Sequence, residues 1–166
     1  REAPVDRLLP ALWLEVHRPG DREITPEMAG RFAVGHQVGA IARDLEAGGL
    51  LIGHDDDLGA ALAATRHALA THRGRPLFEP AFQHDGLLVR IDLLLPRGRA
   101  WDLVEVKSTA GVKDYHHADA TIQAWVAARA GLDVDSVCIG HLDSGFVYPG
   151  GGDYRGLLVK TPVTDV

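Results

Sequence analysis

The chain has 166 residues and a formal net charge of −6, with 46% hydrophobic and 24% charged residues. This size is typical of one domain with one core, so we expect a single domain over residues 1–166. No apolar run reaches membrane-spanning length and the N-terminus lacks a signal-peptide pattern, so we expect no membrane partner and a cytoplasmic location. The single cysteine, Cys138, excludes an internal disulfide, a thiolate zinc site and a four-cysteine iron–sulfur cluster.

The first residue and the charge also bear on the class of protein. The chain begins with Arg1 rather than Met, as expected of an excised N-terminal part of a longer protein. The negative net charge disfavours a dedicated nucleic-acid binder but not a nuclease, because metal-binding carboxylates add negative charge. The basic side chains near the predicted central hairpin are expected to form a local patch: Arg90, Arg97, Arg99, Lys107 and Lys113.

The first part of the chain predicts two helices. A capping side chain at Thr25, a proline in the first turn and an acid at Glu27 mark a helix start, and the helix is expected to stop before Gly48. The acidic run 55–57 is expected to cap an alanine-rich helix over residues 57–72. Two smaller elements are expected as well: a helical or irregular segment over 5–16 that packs through Trp13, and a short strand over 50–52.

The second part of the chain predicts a sheet. The expected strands are 77–82, 87–95, 100–107, 134–142 and, at an edge, 146–148. The second and third form a hairpin around a turn at Pro96, Arg97 and Gly98. A helix over 113–130, facing inward through Ile122, Val126 and Ala130, connects this hairpin to the next strand. A hairpin followed by a helical crossover into another strand predicts an α/β fold with a mixed central sheet flanked by helices.

The stretch 87–109, LLVRIDLLLPRGRAWDLVEVKST, holds the most informative side chains. Asp92 interrupts an apolar strand, and aspartate is rarely buried in a strand unless something binds it. On the partner strand Glu105 and Lys107 share a face. If the strands pair as a hairpin, Asp92 sits beside Glu105, and two neighbouring carboxylates repel unless a cation lies between them. Such oxygen ligands suit Mg²⁺ or Mn²⁺, with the Val106 carbonyl as a third oxygen.

These residue types are the ones needed to hydrolyse a phosphodiester bond. A divalent cation held by Asp92 and Glu105 polarises the phosphoryl oxygen, lowers the pKa of an attacking water and orients both. Lys107 is expected to activate that water or to stabilise the charge that grows in the transition state. The residues that we assign to substrate binding are Arg90, Lys113 and Tyr115.

An Asp, a spacer and then Glu-Val-Lys on adjacent strands resembles the active-site signature of the PD-(D/E)XK nuclease superfamily. The longer context GHQVG, RID, EVKST and a later helix with Gln123 resembles the RecB-like branch. That branch includes CRISPR-associated exonucleases and an uncharacterised bacterial group whose N-terminal region is similar to ALWLEVHRP at 11–19. The resemblance extends from about Leu12 to the end of the chain. It implies a restriction-endonuclease-like αβββαβ core, an exonuclease-like activity, dependence on Mg²⁺ or Mn²⁺, and DNA as substrate.

The resemblance also implies roles for two helix residues. A histidine on a helix completes the metal sphere in the family, and His36 is the candidate here, although the family histidine falls at the place of Gly39. Both positions lie on one helix face, which allows His36 to reach the same metal; a capped or packed histidine is the alternative. Gln123 matches a family glutamine that contacts the active site. Ala127 replaces a frequent tyrosine, and the cluster-binding cysteines of many relatives are missing, so no iron–sulfur cluster is expected.

Several alternatives stay open at this point. Glu79 is either an additional metal ligand or a strand charge held by a structural hydrogen bond. His116 and His117 are expected at the surface or on the substrate side rather than as ligands. The whole chain is either a metal-dependent nuclease or a catalytically weak or inactive nuclease-fold module that binds nucleic acid or a partner. A third possibility is a nuclease that needs an absent C-terminal region to act.

Overall fold

A computed structural model of the protein describes residues 25–54 and 57–163. The expectations for the segments 5–16 and 11–19, for Trp13, and for Asp55 and Asp56 lie outside these residues. The chain divides into two compact units, Arg1–Ala33 and Val34–Val166, and every site residue discussed below belongs to the second. None of the described helices has the length and apolar character needed to cross a membrane.

The described part of the chain contains three α-helices: α1 Pro26–Leu45, α2 Leu58–Thr71 and α3 Asp114–Arg129. Thr25 caps α1 as predicted, because its hydroxyl oxygen accepts a hydrogen bond from the Met28 N–H at 3.2 Å. Asp57 caps α2 in the same way, accepting the Ala60 N–H at 2.9 Å. The predicted helix bounds are therefore confirmed to within a residue or two.

The described residues form eight strands, in chain order β1 Leu50–Leu51, β2 Leu77–Phe78, β3 Ala81–His84, β4 Leu87–Arg90, β5 Leu93–Arg97, β6 Ala100–Lys107, β7 Val134–Leu142 and β8 Leu158–Pro162. Six of them form one sheet in the order β1-β2-β5-β6-β7-β8, and β3 and β4 form a separate two-stranded ribbon. The sheet is mixed: β6 and β7 are parallel neighbours connected by α3, whereas β5–β6 and β7–β8 are antiparallel. The predicted α/β class with a mixed sheet is confirmed.

Two of the predicted strands are each split in two. The sequence predicted unbroken strands over 77–82 and 87–95, but the chain bends at Glu79 and at Asp92. Glu79 has a left-handed φ of 55°, which a regular strand does not accommodate. The Glu79 N–H still donates to the Asp92 carbonyl oxygen at 3.2 Å, so the two bends face each other. Past them, β3 and β4 continue as a ribbon outside the main sheet.

The hairpin turn and the last strand also differ from the prediction. Pro96 and Arg97 belong to β5, and Arg97 pairs with Ala100, so the turn contains only Gly98 and Arg99. A two-residue hairpin turn needs a positive φ, which Gly98 supplies at 65°. Residues 146–148 form no strand; the edge strand is β8, whose exposed residues carry too weak an apolar alternation to reveal it in the sequence.

Alternating side chains of the sheet form two cores. Leu94, Leu103 and Ile139 pack on the face covered by α3, and Leu93 and Val104 pack with Ala42 of α1 on the other. Because neighbouring strand residues point to opposite faces, Glu105 follows Leu103 onto the α3 face, and Val106 joins the α1 face.

The side of α3 that faces the sheet is built mainly of alanine. Ala120, Ala124 and Ala127 are buried together with Val126, as predicted for Val126. The predicted inward positions Ile122 and Ala130 are wrong, since both are exposed. Alanine side chains let the helix backbone approach the sheet closely, and the longer polar side chains of α3 are thereby brought within reach of β6.

Candidate metal centre

Asp92 lies in the bend between β4 and β5, where the sheet opens beside β6. Its Oδ2 accepts a hydrogen bond from the Val106 N–H at 2.6 Å. Because β5 begins only at Leu93, no β5 carbonyl pairs with the Val106 N–H, and the Asp92 carboxylate accepts its hydrogen bond instead. The N–H and C=O of one strand residue point to the same side of the strand, so the Val106 carbonyl also faces the side of Asp92. Two of the three predicted oxygen ligands, the Asp92 carboxylate and the Val106 carbonyl, therefore face the same gap beside β6.

Glu105 is almost completely buried between β6 and α3, with 8% of its surface exposed. Its Oε2 accepts a hydrogen bond from Gln123 Nε2 at 2.7 Å, and its Oε1 lies 2.9 Å from Lys107 Nζ. Glu105 and Lys107 thus share a face of β6, as the alternation predicted. The other polar atom of the Gln123 amide, Oε1, is buried and has no hydrogen-bond partner among residues 25–54 and 57–163, so it offers an acceptor beside the carboxylate.

Lys107 lies between two carboxylates rather than beside one. Its Nζ is 2.9 Å from Glu105 Oε1 and 2.9 Å from Asp119 Oδ2. Burial opposes the charged form, but the negative charges and hydrogen bonds of Glu105 and Asp119 outweigh it and raise the pKa of Lys107 above its usual 10.5. Lys107 is therefore positively charged at neutral pH.

Asp119 belongs to the site although the sequence did not lead us to predict it. The signal was its spacing, since Asp119 precedes Gln123 by four residues and positions i and i+4 share a helix face. Because Gln123 faces Glu105, Asp119 on the same helix face is expected to face the neighbouring Lys107.

Asp92 has the most strongly perturbed carboxyl group of the site. Burial and the negative charge of Glu105 raise the pKa of Asp92 to about 8, and the hydrogen bond from Val106 lowers it only in part. Without a cation, the carboxyl is mostly protonated at neutral pH. A divalent cation between Asp92 and Glu105 would displace that proton, because a carboxylate binds metal in its deprotonated form.

The donor set fits a magnesium-type ion that keeps part of its water shell. No group of three or more His, Cys, Asp or Glu side chains in the described residues lies close enough to hold a metal ion. Mg²⁺ is often bound through only one or two carboxylates, with waters and substrate phosphates completing its sphere. Asp92, Glu105 and the Val106 carbonyl meet that requirement, and the unpartnered Oε1 of Gln123 supplies an acceptor for a bound water.

His36 and Glu79 line a separate cavity of about 270 Å³, together with Arg43 and Arg90. His36 is exposed, and it forms no metal-binding group with Asp92 and Glu105 within the described residues. Its role as a ligand stays a prediction. Glu79 Oε1 lies 3.2 Å from Arg43, which favours the structural alternative for Glu79, although its charge also contributes to the raised pKa of Asp92.

The predicted substrate-binding residues occupy different environments. Arg90 donates hydrogen bonds to the backbone carbonyls of Ile52 at 2.9 Å and Glu79 at 3.3 Å, so its guanidinium stabilises the bend at Glu79. Lys113 and Tyr115 are exposed at the start of α3, with Lys113 Nζ 5.7 Å from the centre of the Tyr115 ring. Both are accessible to a bound substrate.

The predicted basic patch is wrong as a single surface. Arg97 and Arg99 lie at the hairpin turn, at the opposite end of β6 from Lys107. Lys107 lies seven residue steps after Ala100 along β6, which corresponds to roughly 23 Å at the rise of a β-strand. Arg97 instead pairs with Asp135 at 3.7 Å.

His116 is buried rather than at the surface, which corrects the prediction. Only 1% of it is exposed, and its Nδ1 accepts a hydrogen bond from the Lys113 N–H at 3.2 Å. Burial and the charge of Lys107 lower the pKa of His116, so the ring is neutral at pH 7. It lies one turn before Asp119, on the side of α3 that faces the sheet. His117, the next residue, is half-buried.

The buried Glu105 and the half-buried Asp92 therefore lie near the end of β6, together with the Lys107 ammonium group and the Gln123 amide. Such a set can bind a divalent cation and place a positive charge beside a phosphate bound to it. Comparisons with family models, with curated proteins and with solved structures return no match for this chain. The geometry of the site is thus the basis for assigning a function.

Proposed function

We propose that the protein is a divalent-metal-dependent nuclease that hydrolyses DNA phosphodiester bonds in an exonuclease-like manner, on a restriction-endonuclease-like core. The observation that supports this most directly is the convergence of Asp92, Glu105 and Lys107 at one end of β6. The raised pKa of Asp92 adds support, because a pair of carboxylates that cannot both ionise alone becomes stable around a cation.

Each side chain has a distinct role in this proposal. Asp92, Glu105 and the Val106 carbonyl hold Mg²⁺ or Mn²⁺, which supplies a polarised phosphate and an activated water when bound. Lys107 places its positive charge where the phosphate becomes more negative in the transition state. Gln123 fixes the orientation of Glu105 through the 2.7 Å hydrogen bond. We keep two further assignments: Lys113 and Tyr115 bind the DNA backbone, and His36 is an additional ligand.

The test is DNA cleavage in the presence of Mn²⁺, with single- and double-stranded substrates. Asp92→Ala and Lys107→Ala are each expected to reduce the rate by a factor on the order of 10² to 10³, the usual cost of removing one group that stabilises the transition state. Lys160→Ala is the matched control, since in the described part of the chain Lys160 pairs with Glu46 rather than with a residue of the site. Equal cleavage by all four proteins would overturn the assignment of this site.

One observation favours a second candidate, a non-catalytic nuclease-fold module that binds nucleic acid or a partner. Both oxygens of Glu105 already have partners, and Lys107 is held by two carboxylates. Such internal pairing is also what a structural ion-pair network would show. DNA binding by the wild-type protein without any metal-dependent cleavage would select this candidate.

A further inference from the structure

We propose that Asp119 is a positioning residue that draws Lys107 away from Glu105 and thereby leaves Glu105 available to a divalent cation. This inference rests on the proposed metal site. Asp119 has no role in the proposed function, in which Asp92 and Glu105 bind the metal and Gln123 orients Glu105. The observation behind it is that Lys107 Nζ is shared equally, at 2.9 Å, between Glu105 Oε1 and Asp119 Oδ2.

The fold places Asp119 in this position through the geometry of α3. Gln123 is four residues after Asp119 and points into the site, where it donates to Glu105. His116 is three residues before it and is buried against the same side. Positions separated by three and four residues form one stripe of a helix. Asp119 therefore faces Lys107, while 47% of its side chain stays exposed.

The ammonium of Lys107 and a metal ion compete for the same carboxylate. A cation bound by Glu105 repels the ammonium, and the ammonium in turn weakens the attraction of Glu105 for the cation. With Asp119 present, Lys107 has a second counter-ion to which it moves when the cation arrives. Without Asp119, Glu105 is the one carboxylate among the described residues within 4.0 Å of Lys107 Nζ, and the ammonium stays on the metal ligand.

The experiment measures the affinity for Mn²⁺ alone, by calorimetry or electron paramagnetic resonance, with the full chain and no DNA. Asp119→Asn is expected to weaken Mn²⁺ binding roughly three- to fivefold, the effect that a partly exposed ion pair supports. Lys107→Met is expected to strengthen binding, because it removes the competitor. In the Lys107→Met background, Asp119→Asn is expected to change the affinity by less than about twofold, since Asp119 acts through Lys107. Asp119→Glu is expected to restore most of the affinity.

Asp114→Asn is the matched control, since it removes one exposed negative charge from the same helix. It is expected to show only the small effect of a more distant charge. Unchanged affinity in Asp119→Asn would overturn the inference, and so would an equal loss in both backgrounds, which would make Asp119 a direct ligand. Those results leave the metal site itself intact. A wild-type protein that binds no Mn²⁺ would overturn both the metal site and the role of Asp119.

Discussion

At the scale of single residues, Asp92 has the carboxyl group whose pKa the fold shifts most strongly. Its pKa rises from 3.8 in an unfolded chain to about 8 in the folded protein. Between these pH values the folded state holds a proton that the unfolded state has lost, so stability falls as the pH rises through this range. Above pH 8 both states have lost the proton and the loss of stability is complete.

This linkage predicts that Asp92→Asn stabilises the metal-free protein. Asparagine is uncharged at every pH and keeps an oxygen that accepts the Val106 N–H. In the presence of a chelator, the variant is expected to unfold at a temperature a few degrees higher than wild type at pH 9, since about 1 kcal/mol shifts Tm by roughly 2–4 °C at this chain length. The difference is expected to be near zero at pH 4 and to level off above pH 8. Thermal unfolding by circular dichroism measures it.

Asp135→Asn provides the comparison for this experiment. Asp135 is exposed and pairs with Arg97 at the surface, so its removal is expected to change Tm little at any of these pH values. A difference between Asp92→Asn and wild type that stays constant from pH 4 to pH 9 would contradict the link to the Asp92 carboxyl.

At the scale of elements, the facing bends at Glu79 and Asp92 decide where the site opens. Both bends interrupt strands that would otherwise continue. The Val106 N–H therefore donates to the Asp92 carboxylate instead of to a carbonyl of the neighbouring strand. Glu79 achieves its bend at a left-handed φ of 55°, which costs a residue with a Cβ atom about 1 kcal/mol or more.

The strained bend predicts an unusual order of stability among variants of Glu79. Glu79→Gly is expected to be more stable than Glu79→Ala by about 1 kcal/mol, because glycine adopts a positive φ without a steric cost. Both variants lose the ion pair with Arg43 equally, so the comparison isolates the backbone. Urea unfolding measures the difference. Gln83 is an exposed β3 residue without a positive φ, so Gln83→Ala is expected to be more stable than Gln83→Gly. If Glu79→Ala were likewise more stable than Glu79→Gly, the backbone at Glu79 would not be strained.

The elements also show what the sequence was able to predict. Capping residues and composition were sufficient to find the first two described helices, although the apolar stripe predicted for the third was partly wrong. Two-residue alternation placed Glu105 and Lys107 on one face. The bend at Glu79 could not be predicted from the sequence, because a positive φ at a glutamate is imposed by packing and no residue type at that position signals it. Whether His36 reaches the metal depends on how α1 is tilted against the sheet, which helical periodicity does not encode. Asp119, in contrast, was within reach through its four-residue spacing from Gln123.

At the scale of the whole molecule, the proposed metal site predicts that cation binding stabilises the fold. The protein has a net charge of −6, and the negative charge of the buried Glu105 acts on the half-buried Asp92. A cation that binds only the folded state stabilises it by RT ln(1 + [L]/Kd), which is about 2.7 kcal/mol at one hundred times Kd. The same cation removes the repulsion that makes Asp92 hold its proton.

We therefore expect Mn²⁺ to raise the Tm of the wild-type protein by about 5–10 °C at one hundred times Kd, from the usual shift per kcal/mol at this size. The increase is expected to be larger at pH 8 than at pH 6, because at pH 6 the cation must displace the proton of Asp92. Asp92→Asn is expected to abolish most of the increase, so that the order of stability seen with a chelator is reversed when Mn²⁺ is present. Asp135→Asn is expected to keep the full increase. A Tm that rises equally in wild type and Asp92→Asn would place the cation elsewhere on this acidic chain and refute the carboxylate pair as its site.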